Sequence, residues 1–222
     1  MTLKEYFGDW LEVIDINELH KVMVKLKQVK PSSLCPHPNN IFKAFEYCPY
    51  DKLSIVMLGY DPYPQKDVAT GIMFGNSRDT PKDKLSPSLK IIKEACINYE
   101  IPHNCINFDV SLEDWCKQGI LLLNSALTCE IGKTGCHSMM WRPFISKLLK
   151  NLSNKYPGLI YVLFGQQART FKPYISNNDI FEIEHPAYFA RTNTSMSNKL
   201  FTDINKVMID KYDTKIKWYQ EY

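Results

Sequence analysis

The chain has 222 residues, 45% hydrophobic and 23% charged, with a formal net charge of +3, enough to bury a core as one domain over 1–222 without disulfide or metal staples. That composition, free of Gly/Ser or Pro tracts, excludes a disordered chain, and a charge so near neutrality neither identifies nor forbids a nucleic-acid partner. No apolar run reaches the length of a membrane span, and the opening stretch MTLKEYFGDWLEVIDINELHK mixes charged and apolar residues at helical spacing, unlike a signal or transit peptide; a soluble, cytoplasmic protein without membrane contact is expected.

Seven cysteines are scattered without a Cys-x-x-Cys pair, which speaks against a disulfide framework and against zinc. Cys129 and Cys136 lack a second close pair to complete four ligands, so no metal is expected. The lysines of KVMVKLKQVK and PKDKLSPSLK read first as solvated faces.

Along the chain, the first buried-strand pattern is LSIVMLG (53–59), which runs straight into Tyr60-Asp61-Pro62-Tyr63-Pro64. Each proline confines the residue before it to extended backbone, so Asp61 and Tyr63 are held rigid. A stiff loop suits a site; an aspartate capping a turn is the plainer alternative. PSLKIIKEACINYE then reads as a helix opening on proline and SLEDWCKQG as one closing on glycine, before the second strand, GILLLN (119–124), ending on Asn124. IGKTG (131–135) is not a phosphate-cradling loop, because position 127, where the first glycine must stand, is leucine.

A long amphipathic helix follows in MMWRPFISKLLKNLSNKY, interrupted by Pro143; the third strand, LIYVLFG (159–165), ends on Gly165-Gln166. QQARTFKPYI reads as helix, DIFEIEHP (179–186) as the fourth strand ending on His185-Pro186, and NKLFTDINKVMIDKY as the last helix. Strands alternating with helices imply an α/β fold, three-layer α/β/α, with a short central four-stranded parallel sheet. Ligands of such sheets bind outside the carboxyl ends of the strands, where Asp61, Asn124 and His185 would meet.

These residues resemble the family-1 uracil-DNA glycosylases. GYDPYP (59–64) is similar to that family's Gly-Gln-Asp-Pro-Tyr-His, departing at Tyr60 and Pro64, as poxvirus members also do at both places. The likeness continues through CPHPNNIFKAF, TGIMFGNS, the SPSL run at 86–89, WCKQGILLLNSALT, IGKTGCHSMMW with Cys136 where serine is usual, VLFGQQA, and HPAYFAR with Ala187 for serine and Tyr188-Phe189 for Pro-Leu.

The resemblance implies hydrolysis of the uracil N-glycosidic bond with the base flipped out of DNA, leaving an abasic site in base-excision repair, with no cofactor. It makes Asp61 the group that stabilises the sugar cation and positions water, and His185 the donor to uracil O2. Phe74 would stack on uracil, Asn124 read its edge, Tyr63 block a C5 methyl, and the Tyr60 backbone N–H assist at O2. Ser86, Ser88 and Arg191 would hold the DNA backbone, with Lys84 and Lys90 as further candidates, and Tyr188 or Phe189 would wedge into the stack. The expected partners are uracil-containing DNA and a proteinaceous glycosylase inhibitor that mimics DNA, with the chain a monomer. Two other readings remain: a catalytically weak uracil-DNA-binding or replication adaptor, as poxvirus relatives also serve a replication complex, and a small-molecule hydrolase.

Overall fold

The computed structural model of the chain describes residues 2–97 and 106–221. Four strands, β1 (Ile55–Gly59), β2 (Ile120–Asn124), β3 (Ile160–Phe164) and β4 (Asp179–Ile183), form one sheet in the order β2-β1-β3-β4. Every pairing in it is parallel. All five positions of β1 and of β3 are buried, whereas the edge strand β4 is only partly so. Burial on both faces is why these strands read as continuous apolar runs rather than as alternation.

Helices close both faces in a three-layer α/β/α arrangement. They are α1 (Leu3–Phe7), α2 (Ile16–Leu26), α3 (Lys43–Tyr47), α4 (Pro87–Cys96), α5 (Glu113–Cys116), α6 (Ser138–Lys155), α7 (Gly165–Arg169), α8 (Pro186–Thr192) and α9 (Lys199–Tyr212). Asp15 caps α2 by accepting the Glu18 N–H, and Leu19, Val22 and Leu26 give it one buried stripe. Pro87 opens α4, where its missing N–H costs nothing. In α6 the buried Trp141, Phe144, Ile145, Leu148, Leu149 and Leu152 recur at three- and four-residue spacing, and the helix continues through Pro143. The packing along that stripe outweighs the one backbone bond that proline removes.

Three expectations are corrected. The fourth strand stops at Ile183, and His185-Pro186, read from sequence as the end of that strand, instead caps and opens the helix α8. Pro186 sits at its first position, with fixed φ suited to a helix start. SLEDWCKQG yields only the single turn of α5, and QQARTFKPYI is broken after Arg169 into α7 and a short 3-10 turn, Lys172–Tyr174. The last residues of PSLKIIKEACINYE, 98–100, lie outside the described residues.

A single buried cluster runs from Phe7 to Trp218 through β1, β2 and β3, with Ile180, Phe181 and Ile183 of β4 packed against it. Leu58, wholly buried in β1, lies at its centre, whereas Ile209 on α9 is half exposed. Leu58→Ala is expected to lower stability by about 2–5 kcal/mol, and Ile209→Ala by no more than about 0.5 kcal/mol. Urea midpoints of the two variants check both.

Candidate active site

Each strand hands the chain to a polar group at the same edge of the sheet. The register pairs Gly59 with Asn124 across β1 and β2, and Leu58 with Leu163 across β1 and β3, so the ends of three strands lie level. The chain leaves β1 toward β2 and returns on the other side to β3, which makes the gap between β1 and β3 the switch point of the sheet, where α/β folds bind ligands. A cavity of about 400 Å³ opens there. It is lined by Tyr60, Asp61, Tyr63, Phe74, Ser88, Asn124, His185 and Arg191, together with Thr134, Phe164 and Gln167.

Asp61 Oδ2 accepts the Gly135 N–H at 2.6 Å. Burial raises the Asp61 pKa above the usual carboxylate range, and this backbone hydrogen bond works against the rise. Gly132 donates its N–H to the Pro64 carbonyl at 2.9 Å, so the turn at 132–135 braces both ends of the Asp61–Pro64 segment. The Tyr60 carbonyl accepts from Ser125 Oγ at 2.8 Å and from the Ala126 N–H at 3.0 Å. Tyr63 donates its hydroxyl to the Phe74 carbonyl at 3.0 Å, and burial pushes the phenol pKa up.

Phe74 is 7% exposed and holds φ at +64°, a left-handed conformation that costs a non-glycine residue of order 1–3 kcal/mol. Its ring stands edge-on to Phe164 and to His185, with centroids 5.3 Å away in both cases. His185 Nδ1 accepts the Ala187 N–H at 3.1 Å. An accepting Nδ1 puts the proton of a neutral imidazole on Nε2. Burial, with a smaller contribution from the Arg191 charge, pushes the His185 pKa down to about 4. Gly165, at φ +80°, lets β3 pass close under this ring, since a Cβ there would stand 2.9 Å from the His185 Cβ.

Among the described residues no group hydrogen-bonds the Asn124 amide or His185 Nε2. A carboxylate, an unpaired amide and an unpaired ring N–H thus converge beside an apolar ring face, able to bind a flat polar heterocycle and to oppose charges that separate across a breaking bond.

The remaining sequence-predicted residues lie around this cavity. Ser88 lines it, yet is 5% exposed. Ser86 lies outside the lining and is buried: its N–H donates to Asn76 Oδ1 at 2.8 Å, and its hydroxyl accepts from Asn76 Nδ2 at 2.9 Å. Tyr188 is 45% exposed, while Phe189 packs partly against the core. Sequence reasoning missed Gly135 and Asn76; the glycines of IGKTG were the available signal for the first, and nothing local marked the second.

Two further features flank the cavity. A larger one of about 790 Å³ shares Ala69 and Ile72 with it and holds none of the predicted site residues; its Arg78 is engaged by Asp109, Glu113 and Asp114. Glu130, Cys136 and a ring nitrogen of His137 have ligand atoms within 4.8 Å of one another, a set that could hold a metal, but Lys133 already pairs with the Glu130 carboxylate at 3.2 Å.

Residues 45–209 match the family model described as the uracil DNA glycosylase superfamily. A uracil-DNA glycosylase of Campylobacter jejuni is 32% identical over 223 residues, covering 91% of this chain and 92% of that protein. One of Francisella tularensis is 33% identical over 196 residues, covering 86% of this chain and 87% of that protein. Among solved structures, mimivirus uracil-DNA glycosylase aligns with a TM-score of 0.72 at 21% identity, over 98% of this chain and 93% of that one. A mimivirus UNG variant in complex with UGI aligns with a TM-score of 0.75 at 23% identity, over 91% and 81%. These two likenesses establish the fold.

The His185 geometry carries a direct expectation. Nitrogen-resolved NMR of the ring should show the Nε2–H tautomer at neutral pH and a pKa near 4. Because the folded pKa is depressed, the stability this neutral ring contributes is present above the unfolded pKa of about 6.5, and is lost as pH falls through the folded value.

Proposed function

The chain belongs to the uracil-DNA glycosylase superfamily and is an enzyme that excises uracil from DNA, and from that premise we propose which of its residues do so and how. The observation that carries the reading is that Asp61, Asn124 and His185 line one cavity with Phe74 while His185 Nδ1 is already engaged by the Ala187 N–H. The uracil nucleotide rotates out of the stack, at a cost of roughly a few kcal/mol, and the base enters this cavity and lies on Phe74. The adaptor reading is not favoured, since the curated relatives are named as glycosylases.

Asn124 gives uracil N3–H an acceptor and O4 a donor; cytosine reverses both polarities and would leave buried groups unpaired. Thymine differs by a methyl group alone, so it must be refused sterically. Tyr63, stiffened between two prolines and tied to the Phe74 carbonyl, is the wall that does so. As the glycosidic bond lengthens, positive charge grows on the sugar and negative charge on uracil. Asp61, ionised, stabilises the first and orients the attacking water; His185, neutral, donates Nε2–H to O2 as the second develops, with the Tyr60 N–H beside it. A ring that stays uncharged at neutral pH loses nothing by this role, because with Nδ1 accepting it still carries a proton to donate on Nε2.

Ser88 in the cavity lining, Ser86 held by Asn76, and Arg191 clamp the DNA backbone. Tyr188, the exposed member of the aromatic pair, is the wedge that fills the gap left by the base. The continuous cluster from Phe7 to Trp218 supports one glycosylase domain over 1–222, acting as a cytoplasmic monomer in base-excision repair. No helix among the described residues is long and apolar enough to cross a membrane. The complex of a mimivirus UNG with UGI supports a protein partner as well, for which an inhibitor that mimics DNA is the fitting chemistry.

The test is an end-labelled oligonucleotide carrying a single uracil, thymine or cytosine, incubated with EDTA and then cleaved by alkali. Cleavage is expected at uracil alone; binding without cleavage would instead support the adaptor. Tyr63→Ala should release thymine as well, its preference for uracil falling by about 10–200-fold, the span of discrimination that one hydrocarbon group supplies.

A further inference from the structure

Resting on the reading of Asp61 as the carboxylate at the reacting sugar, we infer that the Tyr60 side chain is a positioning residue which holds Asp61 in place through Gly135. The two neighbours in sequence act on one small turn from opposite directions. Asp61 receives the Gly135 N–H at 2.6 Å. The Tyr60 phenol rests on the same residue: a Cβ added to Gly135 would stand 2.0 Å from Tyr60 Oη and 2.9 Å from its Cζ. No side chain fits there unless the ring moves. Gly135 also has φ +72°, so its backbone is of the kind glycine adopts freely.

The turn has few other ways to adjust. At its start Gly132 is tied to the Pro64 carbonyl, and at its end Ser138 donates its N–H to the Gly135 carbonyl at 3.0 Å. Tyr60 is itself fixed by two hydrogen bonds to its carbonyl from Ser125 and Ala126. The position of the phenol therefore sets the height of Gly135, and the height of Gly135 sets where the Asp61 carboxylate stands. A displacement of about 1 Å in such a group costs on the order of a hundredfold in rate. Burial already works against the charged form of Asp61, so a weakened Gly135 bond also leaves the carboxylate harder to ionise. Of the other titratable groups, the Cys129 thiol interacts electrostatically with it, and Tyr60, Tyr63, His185 and Arg191 line the same cavity.

The decisive experiment is a double-mutant cycle of Tyr60→Ala and Gly135→Ala, read in three ways: single-turnover uracil release against pH, affinity for an uncleavable uracil-DNA analogue, and the Asp61 pKa by carboxyl-carbon NMR. Gly135→Ala should slow release about a hundredfold, leave affinity within a few-fold, and raise both the acid limb of the pH profile and the Asp61 pKa. Tyr60→Ala alone should also slow release and raise the Asp61 pKa, and an Asp61 pKa unmoved by it overturns the inference; added to Gly135→Ala it should relieve the overlap and speed release by roughly tenfold, short of wild type. The left-handed backbone burdens both Gly135→Ala variants alike, so this recovery isolates the Tyr60–Gly135 contact from strain. A double variant no faster than Gly135→Ala, or an Asp61 pKa unmoved by Gly135→Ala, overturns the inference. Wild-type protein that releases no uracil would instead overturn the catalytic reading, while the NMR cycle still decides whether Tyr60 acts on Asp61.

Discussion

Parallel register brings Gly59 beside Asn124 and leaves β3 level with β1, and from that alignment the rest of the site follows. A one-residue slip would turn every side chain to the opposite face, and the close packing of β1 and β3, buried at every position, resists the exchange of side-chain shapes this would bring. Once the strand ends are level, the residues after them have nowhere to go but the crevice between β1 and β3. Small residues keep the crevice open at close quarters: a Cβ on Gly59 would stand 2.8 Å from Asn124 Oδ1, and Gly165 makes room for His185 in the same way.

The crevice is an electrostatic device built by burial. Withdrawal from water works against the charged form of either group, so it raises the Asp61 pKa and lowers that of His185. Backbone N–H groups then treat the two differently. Gly135 donates to the Asp61 carboxylate and favours its anion; Ala187 donates to His185 Nδ1 and favours the neutral ring with its proton on Nε2. One hydrogen bond thus sustains a charge, the other a tautomer. An anion and a neutral donor lining one cavity are the polarities that the proposed separation of a sugar cation from a uracil anion requires.

Much of this was legible in the sequence because it is local. Four strands that deliver the chain to Asp61, Asn124, Gly165 and His185 follow from apolar runs and what comes after them, and the prolines at 62 and 64 signal a stiff loop. The missing parts depend on distant pairing. Gly135 meets Asp61 across 74 positions of sequence, and Asn76 locks Ser86 only because the chain folds back on itself. Phe74 takes the left-handed conformation although a glycine follows it, and its partners there, Tyr63, Phe164 and His185, are all distant in sequence. The helix α8 was readable from His185-Pro186, but the apolar run before it and the strand pattern masked that start.

In the proposed reaction Asn124 reads uracil and His185 Nε2 meets its developing charge at the switch point of the sheet. The deciding measurement is a crystal structure of the protein with uracil bound. The base should stack on Phe74, with N3 and O4 on the Asn124 amide and O2 about 3 Å from His185 Nε2. Uracil bound in the larger cavity beyond Ala69 and Ile72, or a His185 ring that meets O2 through Nδ1, would contradict it.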